Sequence, residues 1–259
     1  MRINNNISAL NTHRQMGVNS SANAKAMEKL SSGLRINRAG DDAAGLSISE
    51  KMRAQIAGLE QAQRNAQDGI SYIQTAEGAL TEVSSMLTRM KELTTQKANG
   101  TYNDEDKDNI DLELDALVGE IKNIVETTKF NGIEVFAEEV EIAITHDNAA
   151  DTALKIEAAT LTQTTQLTNG STSEAIDKAI DEVNLQRAKY GAAQNRLEHT
   201  ISNLGATHEN LSAAESRIRD TDMAKEMMEF TRSNILNQAA QSMLSQANQQ
   251  PQSILNLLR

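Results

Sequence analysis

IDKAIDEVNLQRAKYGAAQNRLEHTISNLGATHENLSAAESRI, residues 176–218, is the stretch whose reading decides the fold. Every seventh residue gives Ile176, Val183, Tyr190, Leu197, Leu204, Leu211 and Ile218, an unbroken apolar line. A seven-residue repeat held this far predicts one long helix, supercoiled left-handedly against its neighbours. The companion line four residues on reads Ile180, Arg187, Gln194, Ile201, His208 and Glu215. Only two of those are apolar, which argues against a symmetric zipper of this helix with itself. Ala179, Ala193 and Ala214 on the other flank let a different helix come close. The stretch therefore reads as the return helix of an intramolecular bundle. At about 1.5 Å per residue it runs roughly 65 Å, so its partners must be long too.

Composition supports that reading. The 259 residues are 39% apolar, with three Tyr, three Phe, no Trp and a single proline, Pro251. Long helices therefore meet almost no breaker. Without cysteine there is no disulfide framework, no thiolate chemistry and no Cys-ligated zinc. Met1-Arg2-Ile3-Asn4-Asn5-Asn6 lacks the apolar run of an ordinary signal peptide, and no stretch reaches the roughly 20 apolar residues of a membrane span. A net charge of −11 argues against nucleic acid as a partner. The charge is uneven: residues 1–40 carry six Lys/Arg against one acid, and residues 100–160 carry sixteen acids against four Lys.

Working outward, Ile3, Ile7, Leu10, Met27 and Leu30 give the first 32 residues a thin helical stripe. Ordering such an arm costs about 1–2 kcal/mol per residue in backbone entropy. Its few large apolar side chains return about 1.5–3 kcal/mol each when buried. The arm should be frayed alone and ordered against partners. In Leu30 to Leu46, Gly33 suits a left-handed helix stop, and Asp41 or Asp42 suits the cap of the next helix. That helix runs from Ala43 to about Ala98 on Met52, Ile56, Leu59, Ala66, Ile70, Ile73, Ala76, Leu80, Val83, Leu87 and Met90. A third starts near Asp104, with Ile110, Leu114, Leu117, Ile121 and Ile124 inward. Phe130-Asn131-Gly132 makes a turn, after which Ile133/Val135, Val140/Ile142/Ile144 and Leu154/Ile156 alternate as half-buried strands do. Asp147 to Asp151 joins the last two as a hairpin, and Thr160 to Ser173 reads as a flexible polar loop. Beyond Ile218 comes a Met-rich, Asn/Gln-rich last helix with Met227, Phe230, Ile235, Leu244, Ile254 and Leu257. The fold class is mainly α: an elongated bundle of long coiled-coil-like helices with a small β-hairpin at about 133–160.

Residues 30–52, Phe130-Asn131-Gly132, Leu211 to Ile218 and the tail Leu244 to Ser253 resemble bacterial flagellin, end to end and in the family's order. The resemblance implies three parts. Residues 1–43 and 219–259 are inner-core arms whose helices pair to line a filament, and residues 44–218 form its outer core. The terminal-helix residues Ile3, Ile7, Leu10, Met227, Phe230, Ile235, Leu244, Ile254 and Leu257 are then assembly residues. It also implies a short form without the variable outer domains, and a structural subunit that polymerises for motility rather than an enzyme. Export through the flagellar channel, an export chaperone on the last helix, and a filament cap belong to the same picture. Two other readings stand beside it: the related hook–filament junction protein, and a coiled-coil binding module that never polymerises.

The stretch Leu87 to Gln96 resembles the flagellin segment recognised by host Toll-like receptor 5. Arg89, Glu92, Leu93 and Gln96 match, with Glu113 as the neighbouring carboxylate. Lys91 stands where the family has Arg and lacks its planar fork. The plain alternative for Arg89 and Glu92 is an i,i+3 surface pair worth a few tenths of a kcal/mol. Asp104 to Asn109 with Asp115 lacks the glycine and bidentate Glu of a calcium loop. The four histidines are scattered, and no nucleophile elbow, triad or HExxH occurs. No cofactor, metal site or catalytic residue is expected.

Overall fold

A computed structural model describes residues 6–145, 154–159, 161–168 and 170–257, with the backbone alone for 250–257. Its elements are α1 (Ile7–Ser32), α2 (Ala43–Lys97), α3 (Asp104–Thr127), β1 (Lys129–Phe130), β2 (Ile133–Glu134), β3 (Val140–Ile142), β4 (Leu154–Ile156), α4 (Thr162–Thr165), α5 (Ser173–Arg219) and α6 (Met223–Leu257). The heptad stretch is therefore helical throughout, and the 55-residue α2 is its long partner. No described helix is long and apolar enough to cross a membrane.

Two compact units divide the chain, Gln55–Asn210 and the combination of Met1–Ala54 with Leu211–Arg259. In the first, Leu80, Val83, Leu87 and Met90 of α2 meet Leu114 and Ile121 of α3 and Ile176, Val183, Tyr190 and Leu197 of α5. Leu204 is buried as well, whereas Leu211 and Ile218, in the other unit, are half-buried. The mixed companion line explains itself in polar contacts to α2. Arg187 reaches Glu77 at 3.7 Å and His208 reaches Glu60 at 3.2 Å. In the other unit, Glu215 accepts from Arg53 Nε at 2.9 Å. An apolar seam flanked by a charged one selects an unlike partner helix.

The strands depart from the expected pattern. Ile133 and Val135 do not share a buried face: β2 is two residues long, Ile133 is 40% exposed, and Val135 and Phe136 follow it into the core. β2 pairs antiparallel with β1 across Asn131 (φ 51°) and Gly132 (φ 84°), the two positive values that a tight type I′ turn requires. The β region thus begins at 129, before the expected 133. β3 and β4 pair antiparallel with Val140 opposite Ile156; their connection, expected at 147–151, lies outside the described residues. Ile144 is outside the strand.

The polar loop is not loose. Leu161, Thr164 and Leu167 are buried, and α4 occupies its centre. Glu182 of α5 accepts from the amides of Gln163 and Thr164, both at 3.0 Å, and from the hydroxyls of Thr162 and Thr164. A carboxylate from another helix supplies the N-terminal cap that the segment's own sequence lacks.

Candidate assembly and recognition surfaces

The terminal unit is built around a neck where the two ends of the chain meet. Gly33 (φ 71°) stops α1, its amide donating to Lys29 O at 2.8 Å. Asp42 accepts from the Gly45 amide at 2.9 Å to start α2, the cap expected of Asp41 or Asp42. Asp41 instead folds the loop, accepting from the amides of Arg38 at 3.0 Å and Asn37 at 3.3 Å. Those amides, Arg38's first, hold its carboxyl below the usual carboxylate range. Arg35 N donates to Arg219 O at 2.6 Å, and Thr221 N to Gly33 O at 3.0 Å. The Arg35 guanidinium donates to Ile218 O at 2.6 Å, satisfying a carbonyl at the end of α5. Arg219 is buried to 9% exposure and paired with Glu50. Asp222 then caps α6 through the Ala224 amide at 3.0 Å.

From the neck, α1 and α6 run side by side. Their seam is small and polar, with Asn19, Ala26, Ser233 and Ala240 buried in it. The large apolar residues are elsewhere. Ile7 and Leu10 are each 65% exposed and Ile235 is 59% exposed; Val18, Met223, Met227, Met228, Leu236 and Met243 are also open. At about 100° per residue, Leu10 falls opposite Asn19 on α1, and Ile7 and Val18 lie about 100–120° round from it. The arm thus finds its first partner within the chain, yet presents its oily side outward. Large apolar side chains left open on both helices of a pair mark a surface built to be covered.

Of the expected assembly residues, Ile7, Leu10, Met227 and Ile235 are exposed, and Phe230 and Leu244 are half-buried. Ile3 lies outside the described residues, as do the side chains of Ile254 and Leu257. The signal that composition left unread is Pro251, which sits inside α6 rather than ending it. A proline has no N–H, so the carbonyl four residues back, Ala247 O, loses its helical donor. Asn6 Nδ2 replaces that donor at 2.7 Å, while Asn6 Oδ1 accepts from the Ala9 amide at 3.1 Å and caps α1.

In the other unit, one face of α2 and α3 gathers Arg89, Glu92 and Glu113. Arg89 Nε donates to Glu113 Oε1 at 3.0 Å, and Nη1 to Glu92 Oε2 at 3.2 Å. Glu113 first and Glu92 second push the guanidinium's pKa up. All three are well exposed, so solvent screens the pairs and their worth to stability is small. Gln96 Nε2 donates to the Tyr102 hydroxyl at 3.1 Å, and Lys91 is paired with Asp177 of α5. Leu93 parts from the group: at 2% exposure it belongs to the core and presents no surface. The acidic run at Asp104 is a helix start, capped by Asn103 through the Asp106 amide at 2.7 Å. Among the described residues, no group of three or more His, Asp or Glu could hold a metal ion.

The bacterial flagellin N-terminal helical region matches residues 3–141, and the bacterial flagellin C-terminal helical region matches residues 173–258. A flagellin of Halalkalibacterium halodurans is 55% identical, and one of Bacillus subtilis is 49% identical, each alignment covering 100% of both chains. A flagellar filament 31.3 kDa core protein of Treponema maltophilum is 43% identical over the same full span.

Proposed function

Because the chain belongs to the bacterial flagellin family, a family of structural proteins rather than enzymes, we propose that it builds the flagellar filament by packing its paired ends, residues 1–43 and 219–259, against those of other copies. Residues 44–218 form the outer wall on this reading. One observation carries it: the α1/α6 pair hides alanine and serine in its seam and exposes Ile7, Leu10, Val18, Met227 and Ile235. Burying such side chains between copies contributes about 1.5–3 kcal/mol each, the main drive to polymerise. The subunit leaves the cell through the flagellar channel. On the way, the Met-rich face of α6 docks on the export chaperone, and the filament cap receives it at the growing tip. A flexible methionine surface suits successive partners.

Seeded polymerisation followed by electron microscopy tests this. The full chain is expected to extend seeds, and a version cut before Asp222 is expected not to. A full chain that stays monomeric with both ends folded would sink the reading in favour of a binding module.

The exposed group Arg89, Lys91, Glu92, Gln96 and Glu113 is proposed as the contact face for host Toll-like receptor 5, with Leu93 holding α2 in place beneath it. Arg89→Ala should weaken binding to the receptor ectodomain about tenfold or more, the worth of a charge-assisted pair at an interface. Equal binding of the variant and the parent would remove Arg89 from that face.

A further inference from the structure

The sequence sets asparagine before glycine three times, at Asn99, Asn131 and Asn169, the last outside the described residues. In such a pair the carboxamide carbon comes within reach of the next peptide nitrogen, and glycine puts no side chain in the way. The fold treats the two described pairs differently. Asn131 (φ 51°) and Gly132 (φ 84°) are locked into the turn between β1 and β2, whose strands pair across it. Asn99 and Gly100 lie exposed in the connection between α2 and α3, outside both helices. Gly100 N donates to no acceptor among the described residues, whereas Thr101 N donates to Asn99 Oδ1 at 3.3 Å. That bond closes an Asx turn, which folds the carboxamide back over the Gly100 nitrogen. Nor does the fold need this glycine: its φ is not left-handed, and an added Cβ would have no atom within 4 Å.

We propose that Asn99-Gly100 is a site of spontaneous deamidation, directed there by the fold. Gly100 N attacks Asn99 Cγ; the new C–N bond forms as the carboxamide nitrogen leaves, taking the Gly100 amide proton with it as ammonia. Thr101 N–H sits where negative charge gathers on Oδ1 during the attack. A five-membered imide remains, and water opens it at either carbonyl to an aspartate or an isoaspartate. At Asn131 the same ring would force ψ away from the roughly +30° that a type I′ turn requires, so the hairpin must open first. The product carboxylate lands at the C-terminal end of α2, the negative pole of the helix, in a hollow shared with Lys91, Glu92, Gln96 and Tyr102. Like charge there works against the last turn, held by Ala98 N to Thr94 O at 3.1 Å and Asn99 N to Gln96 O at 3.0 Å.

The test uses the full chain, held folded at mildly alkaline pH or unfolded in urea, with peptide mapping by mass spectrometry over time. In the folded chain Asn99 is expected to convert at least about tenfold faster than Asn131, and in urea the two rates are expected to converge. Gly100→Ala should slow conversion at position 99 by about tenfold, leave position 131 unchanged and not lower the melting temperature. Amides 94–99 should exchange faster in Asn99→Asp than in the parent, with α5 unchanged. Asn131 converting as fast as Asn99 in the folded chain, or Asn99 converting about tenfold slower folded than in urea, overturns the proposal. Unchanged exchange in N99D overturns the effect on α2.

Discussion

Single residues set tolerances that their neighbours cannot relax. Gly69, mid-helix in α2, is where β3 comes closest: a Cβ there would meet Ile142 Cδ1 inside contact distance and Leu197 Cδ1 at 3.4 Å. Alanine is favoured over glycine in a helix by about 1 kcal/mol, but overpacking a closed core costs about 1–3 kcal/mol. Gly69→Ala should therefore lower the melting temperature, and adding Ile142→Val should restore much of it. A G69A variant more stable than the parent would show that the strand yields freely. Tyr72 gives a second test. Its hydroxyl donates to Val135 O at 3.0 Å, and burial, then Tyr190 and Glu138, push it from 10.0 up to about 12. The unfolded chain gives up this proton first, so folding is favoured fully below pH 10, and that part is lost as pH rises from about 10 to about 12. Denaturation followed from pH 8 to 12 should show a shallower alkaline fall for Tyr72→Phe than for the parent.

At the level of elements, the most exacting contact joins the start of α1 to the end of α6. Asn6 both caps its own helix and fills the gap that Pro251 opens. Asn6→Ala should cost about 1–2 kcal/mol in the parent. In a Pro251→Ala background, where Ala247 O regains a helical donor, it should cost measurably less. Equal costs in the two backgrounds would show that the asparagine and the proline are independent. Glu182 makes a parallel case: replaced by alanine, it should release the Gln163 and Thr164 amides to hydrogen exchange while α5 stays protected. The long helices were legible because their apolar period repeats over many turns, and Gly33 and Asp42 because caps use few residue types. α4 was not, since Thr and Gln carry no period and its cap comes from another helix. Ile133 misled because alternation over two residues carries no weight against a tight turn. Leu93 matched a motif, but a motif does not say which side of a helix it occupies. The Arg35 and Arg219 contacts at the neck join distant stretches, which no local pattern announces.

For the whole molecule, what matters is where apolar surface is left over. Leu10→Ser with Ile235→Ser should leave melting of the 55–210 unit unchanged while raising the concentration at which seeded growth begins by an order of magnitude or more. Unchanged growth would mean that the outer faces of α1 and α6 are not what copies share. The Asn6 contact has a last consequence. It joins residues 241 positions apart, so it closes only when the whole length of chain between them is available. A polypeptide cut short at either end has no way to complete it. The contact therefore reports that both ends of one chain are folded against each other.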